Sequence, residues 1–314
     1  MQYMIRRHVL PAISGSFLLF LFGLQACSTT EGPRGSAPTW VSGAPRIVAI
    51  GDLHGDLEAA RAALRLAGAM GAEGQWTGGN LVLVQTGDIL DRGDDEAEIW
   101  KLFDRLAREA REDGGAVFLL NGNHEFMNAY LDFRYVSEDG FADFEGAPPP
   151  SSPDSLLLTL APEERGRAAA FRPGGSAALR LARQNVAQVV GRTLFVHGGI
   201  VPGHLALGLD SLNAQAKAWL QGDGPEPDWV RGEESPVWVR LYSRNPDVEA
   251  CDTLRAVLEK LNLDRMVVGH TVQKTGITAF CGGRVWAIDV GMAEAYGGRP
   301  EVLEIEGASV RSCW

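Results

Sequence analysis

The chain has 314 residues, 45% of them hydrophobic and 22% charged, and carries a formal net charge of −11. That composition supplies a sizeable core and excludes wholesale disorder. The acidic balance excludes broad, sequence-independent binding to nucleic acid, which needs Lys and Arg against the phosphates, so no nucleic-acid partner is expected.

The first 27 residues stand apart. Arg6 and Arg7 precede an apolar stretch from Val9 to Leu24, which closes in Leu24-Gln25-Ala26-Cys27. A basic head, an apolar middle and small residues at the end describe a signal peptide. The closing cysteine resembles the bacterial lipoprotein signal, so acylation of Cys27 is expected after cleavage. The product would be a periplasm-facing lipoprotein of the bacterial cell envelope, held to the membrane by its N-terminal lipid. A cleaved secretory peptide and an uncleaved anchor are the alternatives, and all three place the body outside the cytoplasm. Residues 28–44 follow as a flexible tether, rich in Thr, Gly, Pro and Ser.

The body then runs from 45 to 310. Arg46 to Ile50 is an apolar run that stops at Gly51-Asp52, which predicts a buried strand ending in a loop. Leu57 to Met70 has helical spacing. Asn80 to Gln85 predicts the next strand, again followed by a Gly-Asp pair at Gly87-Asp88. Glu96 to Glu112 predicts a helix with Trp100, Leu102, Phe103 and Leu106 near one face. Ala116 to Leu120 is a third strand, ending at Asn121-Gly122-Asn123-His124. Strand, loop and helix in repetition predict an α/β layer, whose strand-end loops bind ligands.

Residues 129–192 break that rhythm. A Pro-rich stretch at Pro148-Pro149-Pro150 precedes an Ala- and Arg-rich helical segment from Gly175 to Val189, so the region reads as a mainly helical insertion or cap. Strands resume at Thr193 to Val196 and Arg265 to Val268. The tail from Ile277 to Ile305 alternates short strands with Gly-rich turns, enough to pair into a second sheet. Of Cys251, Cys281 and Cys313, an oxidising compartment would allow Cys251–Cys281, Cys281–Cys313 or no bond at all.

Every conspicuous polar cluster follows a predicted strand. These are Asp52-Leu53-His54-Gly55, Asp88 to Gly93, Asn123-His124-Glu125, His197-Gly198-Gly199 and Gly269-His270-Thr271. Four of the six histidines lie in them; His8 belongs to the leader, and His204 fits no cluster and reads as structural. Imidazole, carboxylate and amide oxygen together suit Mn, Fe or Zn. The absence of cysteine from these loops argues against a structural zinc site.

In that order, the clusters Asp-x-His-Gly, Gly-Asp-x-x-Asp-Arg-Gly, Gly-Asn-His-Glu, His-Gly-Gly and Gly-His-Thr resemble the phosphoprotein phosphatase family of calcineurin-like metallophosphoesterases. Ser235 to Arg240 and the Asp289-Val290-Gly291 to Tyr296-Gly297-Gly298 tail are similar to its bacterial-type Shewanella-like branch. The resemblance implies a four-layer αββα sandwich and a phosphomonoesterase acting on phosphotyrosine or phosphoserine/threonine protein.

It also implies a site. One of two divalent cations, with Mn most suitable in vitro, would be held by Asp52, His54 and Asp88. The second would be held by Asp88, Asn123, His197 and His270, so that Asp88 bridges. A hydroxide between the cations would attack phosphorus directly. His124 would protonate the leaving oxygen, oriented by Asp91. Arg92 and Arg240, with Asn123, would bind the phosphoryl group. Arg244 is an alternative to Arg240, Glu125 would brace its loop, Tyr296 would cover the site, and Trp238 reads as core. A dinucleoside polyphosphate hydrolase and a small phosphate-ester phosphatase remain the enzymatic alternatives. A metal-binding scaffold without catalysis is the non-enzymatic one.

Overall fold

In the computed structural model, which describes residues 37–147 and 155–314, two mixed β-sheets lie face to face with helices on their outer surfaces. The leader, Cys27 and the Pro148–Pro150 stretch fall outside the described residues. Among those described, no helix is long and apolar enough to cross a membrane.

The first half of the chain supplies its first strand to one sheet and the next three to the other. Strand β1 is Trp40–Val41, β2 is Ile47–Ile50, β3 is Val82–Gln85 and β4 is Ala116–Leu119. Helices α1 (Leu57–Leu66) and α2 (Glu96–Glu112) connect β2 to β3 and β3 to β4, which pair in parallel. Asp56 caps α1 by accepting from the Ala59 N–H at 2.8 Å, and the helix ends at Leu66 because Gly68 takes a left-handed backbone (φ +64°). It is therefore four residues shorter than its apolar spacing predicts.

The insertion is helical but not only a cap. Helix α3 (Asn123–Ala129) leads into it, and it contains α4 (Glu138–Ala142), α5 (Ser155–Thr159), α6 (Glu164–Phe171) and α7 (Ser176–Leu181). The predicted helix from Gly175 to Val189 stops at Leu181, and its last residues are strand β5 (Ala187–Val190). Ala187, Val189 and Val190 are wholly buried in the second sheet, where a β-branched pair packs better than on a helix.

That second sheet takes β1, β5, β6 (Thr193–Val196), β7 (Arg265–Val268), β8 (Thr278–Phe280) and β9 (Val285–Ala287). Between β6 and β7 lie α8 (Pro202–Leu207), α9 (Leu209–Gln221) and α10 (Val248–Leu261). The strand orders are β1-β5-β6-β7-β9-β8 and β11-β10-β2-β3-β4, where β10 is Val302–Glu306 and β11 is Ser309–Cys313. Two boundaries shift accordingly. Trp40 and Val41, placed in the tether by composition, pair with β5, and the last strand runs past residue 310 to Cys313. The tail is also divided: β8 and β9 join β7, whereas β10 returns to pair with β2.

Alternation along the strands explains the layers. Ile47, Ala49, Val82 and Val84 point between the sheets and meet Phe195, Val267, Leu303 and Ile305, while Val48, Ile50 and Leu83 face α1 and α2. On the other side Leu194, Val196, Met266 and Val268 face Leu254, Val257 and Leu258 of α10. Where both faces are covered, as at β2, β5 and β6, the strands are buried at every position. A disulfide joins Cys251, in α10, to Cys281 after β8, and Cys313 stays unbonded and half-buried. The bridge closes a loop across 30 positions. Changing both cysteines to Ser should lower stability by about 3 kcal/mol in denaturant unfolding under non-reducing conditions.

Candidate active site

All five polar loops leave the same edge of the sandwich, and the backbone is bent to make them meet. Of nine non-glycine residues with positive φ among those described, five are His54, Asp88, Asp91, Arg92 and His270. Such conformations cost on the order of 1–3 kcal/mol each and persist where the surroundings over-determine them. Here they do. The Leu53 and His54 N–H groups donate to the Asp88 carbonyl (2.9 and 3.0 Å), and the His270 N–H donates to the Asp52 carboxylate (3.1 Å). Glu125 accepts from four backbone N–H groups, those of Asp88, Ile89, Leu90 and Gly122 (2.7–3.3 Å), which ties the second loop to the third. Glycine is required beside the ligands: a Cβ on Gly122 would lie 2.2 Å from Asp88 Oδ1, and one on Gly269 would lie 2.4 Å from Asp52 Oδ1.

Asp88 is the centre. His54, Asp88 and His124 form one group able to hold a cation, and Asp88, His197 and His270 form a second, with Asp88 the shared member. The protein alone does not satisfy these atoms. His197 Nδ1 faces the Thr86 carbonyl at 3.0 Å, so it carries the proton. Its Nε2 lone pair then faces Asn123 Oδ1 at 2.9 Å and Asp88 Oδ2 at 3.1 Å, three acceptors turned on one point. His270 Nε2 is buried with no partner at all. His54 donates from Nδ1 to the Leu90 carbonyl (3.0 Å), leaving Nε2 to face Asp88.

The charges agree. Burial, then the charges of Asp289 and Asp88, push Asp52 well above the usual carboxylate range, and burial lifts Asp289 to about 6. Burial acts in the same direction on Asp88, but His197, His124 and His54 together hold it low. Burial lowers His54 to about 3 and His270 well below its ordinary value, so both present lone pairs. Divalent cations fit this donor set.

His124 differs from the other imidazoles. Its Nδ1 lies 2.5 Å from Asp91 Oδ2, and its Nε2 turns towards Asp88 Oδ2 at 3.9 Å. Burial opposes the charged form, but Asp88 and the Asp91 hydrogen bond raise its pKa. Asp91 is also held from behind. Its Oδ1 accepts from Asn128 Nδ2 (2.8 Å) and from Arg167 Nη2 (3.2 Å).

The mouth is aromatic and cationic. The Arg92 guanidinium packs on Tyr135 (4.5 Å to the ring centroid) and Tyr296 (5.0 Å), with its Nε buried and unpartnered. Tyr296 also packs on His54 and Tyr135 on His124, so Tyr296 does cover the site and shares that place with Tyr135. Arg240 anchors Nη1 on the His270 carbonyl (2.7 Å) and Thr271 Oγ1 (3.0 Å). Arg240 and exposed Arg244 line the same cavity of about 450 Å³ with His270 and Tyr296.

Residues 45–274 match the family model described as calcineurin-like phosphoesterase. The chain belongs to that family. Within it, the chain is 38% identical over 292 residues to Shewanella-like protein phosphatase 2 of Arabidopsis thaliana, covering 83% of this chain and 75% of that one. It is 28% identical to Shewanella-like protein phosphatase 1 of Plasmodium berghei, over 79% of this chain and 67% of the other. The crystal structure of a cold-active protein-tyrosine phosphatase from a psychrophilic Shewanella species superposes with a TM-score of 0.73 at 26% identity, covering 88% of this chain and 80% of that one. This phosphatase is thus a phosphoric monoester hydrolase of the Shewanella-like branch, with metal-binding His/Asp groups in place.

The structure brings Asp52, His54, Asp88, Asp91, Asn123, His124, His197 and His270 into one buried cluster, with Arg92 and Arg240 at its rim. Asp52 falls outside both cation groups and touches the site through His270. Trp238 is half-buried and packs against the core, with its ring T-shaped to His270 at 5.4 Å between centroids. His204 is structural: Nδ1 accepts from the Val201 N–H and Nε2 donates to the Glu234 carbonyl. Arg167, Asn128, Glu96 and Tyr135 were not singled out by sequence. They sit in no motif, and only the rarity of an arginine buried on an Ala-rich helix could have pointed to Arg167.

Proposed function

We infer that this chain is a metal-dependent protein phosphatase that cleaves phosphotyrosine in preference to phosphoserine or phosphothreonine. The observation that carries the reading is Asp88 shared between two His-containing groups, the first of which includes His124, itself paired with Asp91. Asp52, His54 and Asp88 would hold one divalent cation, and Asp88, Asn123, His197 and His270 the other. The chemistry supplied there by two such cations, Mn in vitro, would be Lewis-acid polarisation of the phosphoryl group and a lowered pKa for water near neutral pH.

The chain's own residues do the rest. Arg92 carries a buried, unpartnered Nε beside the site, and Arg240, fixed through Nη1, would turn Nη2 to a phosphoryl oxygen. His124 keeps one proton on Nδ1 through Asp91, so Nε2 is the nitrogen available to protonate the departing oxygen. Tyr135 and Tyr296 give the mouth two aromatic walls, which suits an aryl leaving group. The tyrosine-phosphatase name of the Shewanella relative supports the same choice.

A substrate panel on the Mn²⁺-supplied protein tests this. Phosphotyrosine, phosphoserine and phosphothreonine peptides would be compared with diadenosine tetraphosphate and a small alkyl phosphate. Higher kcat/KM on phosphotyrosine peptide is expected; preference for the dinucleotide would overturn the substrate and keep the site.

The reading includes a lipoprotein held in the cell envelope through Cys27. A disulfide between Cys251 and Cys281 supports an oxidising compartment. Cys27→Ser should move the protein from the membrane to the soluble fraction on cell fractionation.

A further inference from the structure

We propose that Arg167, on insertion helix α6, is a positioning residue for proton donation: it locks Asp91 in the one orientation that holds His124. This rests on the reading of His124 as the proton donor.

Arg167 is wholly buried, which is rare for a guanidinium and costly unless its donors are matched. All are matched, and all on groups around Asp91. Nε donates to Asn128 Oδ1 (2.6 Å), Nη1 to Glu96 Oε2 (2.6 Å) and the Gly140 carbonyl (2.8 Å), and Nη2 to Glu96 Oε1 (2.9 Å) and Asp91 Oδ1 (3.2 Å). Phe144 and Phe171 pack against the guanidinium, 5.1 and 4.8 Å from its carbon.

Each partner acts on Asp91. Glu96 accepts the Asp91 N–H at 2.5 Å, which holds a residue that sits at φ +69°. Asn128 takes the Arg167 Nε–H on its oxygen, which leaves its amide N–H groups for Asp91 Oδ1 (2.8 Å) and the His124 carbonyl (2.9 Å). Asp91 therefore spends Oδ1 on Asn128 and Arg167, and only Oδ2 remains for His124 Nδ1. With Oδ1 released, the carboxylate is free to rotate, and the imidazole loses its fixed tautomer and direction. Arg167 also supplies the only permanent positive charge in hydrogen-bond contact with the buried pair Asp91 and Glu96 among the described residues. A lysine has one nitrogen and cannot reproduce the fork.

If Arg167 merely glued α6 to the body, its loss would lower stability and affect all substrates alike. A positioning role predicts a leaving-group effect. The test measures kcat and KM of Arg167→Met and Arg167→Lys on an alkyl phosphate and on p-nitrophenyl phosphate, with bound metal counted. Both variants should lose roughly 10–100-fold more kcat on the alkyl ester than on the aryl ester, as outer-shell partners typically cost. KM and metal content should change little. In an Asp91→Asn background, Arg167→Met should add nothing to that discrimination.

Asn128→Leu, which removes the second support of Oδ1 without emptying the arginine site, is the variant to use if Arg167→Met does not fold, and it should discriminate in the same direction. Equal losses on both esters, or full additivity with Asp91→Asn, would overturn the proposal. His124→Ala separates the two levels. If it fails to discriminate, the proton-donor reading falls and this proposal with it; if it discriminates and Arg167→Met does not, the proposal alone falls.

Discussion

His124→Ala should keep its bound metal and lose about 10²–10⁴-fold in kcat on an alkyl phosphate, the usual worth of general-acid catalysis. On p-nitrophenyl phosphate the loss should be far smaller, because that leaving oxygen departs as a stable anion and barely needs a proton. Geometry gives the reason. The Nδ1 of His124 is committed to Asp91 at 2.5 Å, and its Nε2 turns into the site beside Asp88. His197, by contrast, is oriented by a backbone carbonyl and turns a lone pair towards Asn123 and Asp88. A carboxylate partner on Nδ1 favours the protonated ring more strongly than a carbonyl does, which sets His124 apart from His197 as the proton carrier. Kinetics on both esters, alongside metal analysis, would check the assignment. Equal losses on the two esters would remove His124 from the proton-donor role.

Much of this site was legible because each of its parts is a short-range pattern. A strand that ends in Gly-Asp or Gly-Asn-His announces its own loop, and five such loops in one chain have few places to go but one sheet edge. The α/β layer was readable from β2, β3 and β4, whose apolar runs end where the polar clusters begin. What sequence could not show depends on long-range pairing. β5 reads as helix because Ala and Arg favour helices locally, and only its burial between β1 and β6 makes it a strand. The return of β10 to the first sheet is a register across more than 250 residues. Arg167 illustrates the same limit within the site. Its partners come from three stretches of chain, Asp91 with Glu96, Asn128, and Gly140, and none of the spacings is a motif. The disulfide is another case: composition left the pairings of Cys281 open, and the packing of α10 against the second sheet brings Cys251 to it.

Asp88→Asn should cost the protein both cations, and His197→Ala only one. Asp88 belongs to both cation groups, His197 to the second alone. The asparagine keeps the shape and one carbonyl oxygen, so the His124 N–H that donates to Asp88 Oδ1 at 3.0 Å retains an acceptor and the loop retains its form. What disappears is the negative charge that both cation groups share. A substituted outer-shell partner typically costs a site about 10–100-fold in metal affinity, and a bridging carboxylate should cost at least that at both positions. Metal analysis after dialysis would read the stoichiometry directly. Thermal unfolding gives an independent measure. A cation at a hundredfold excess over its Kd stabilises the fold by about 2.7 kcal/mol, so the rise in Tm on adding Mn²⁺ should vanish in Asp88→Asn and survive in part in His197→Ala. Two tightly held ions in Asp88→Asn would show that neither group depends on the shared carboxylate. The two cations would then be held by separate ligands, and the arrangement around Asp88 would be a proton network rather than a bridge.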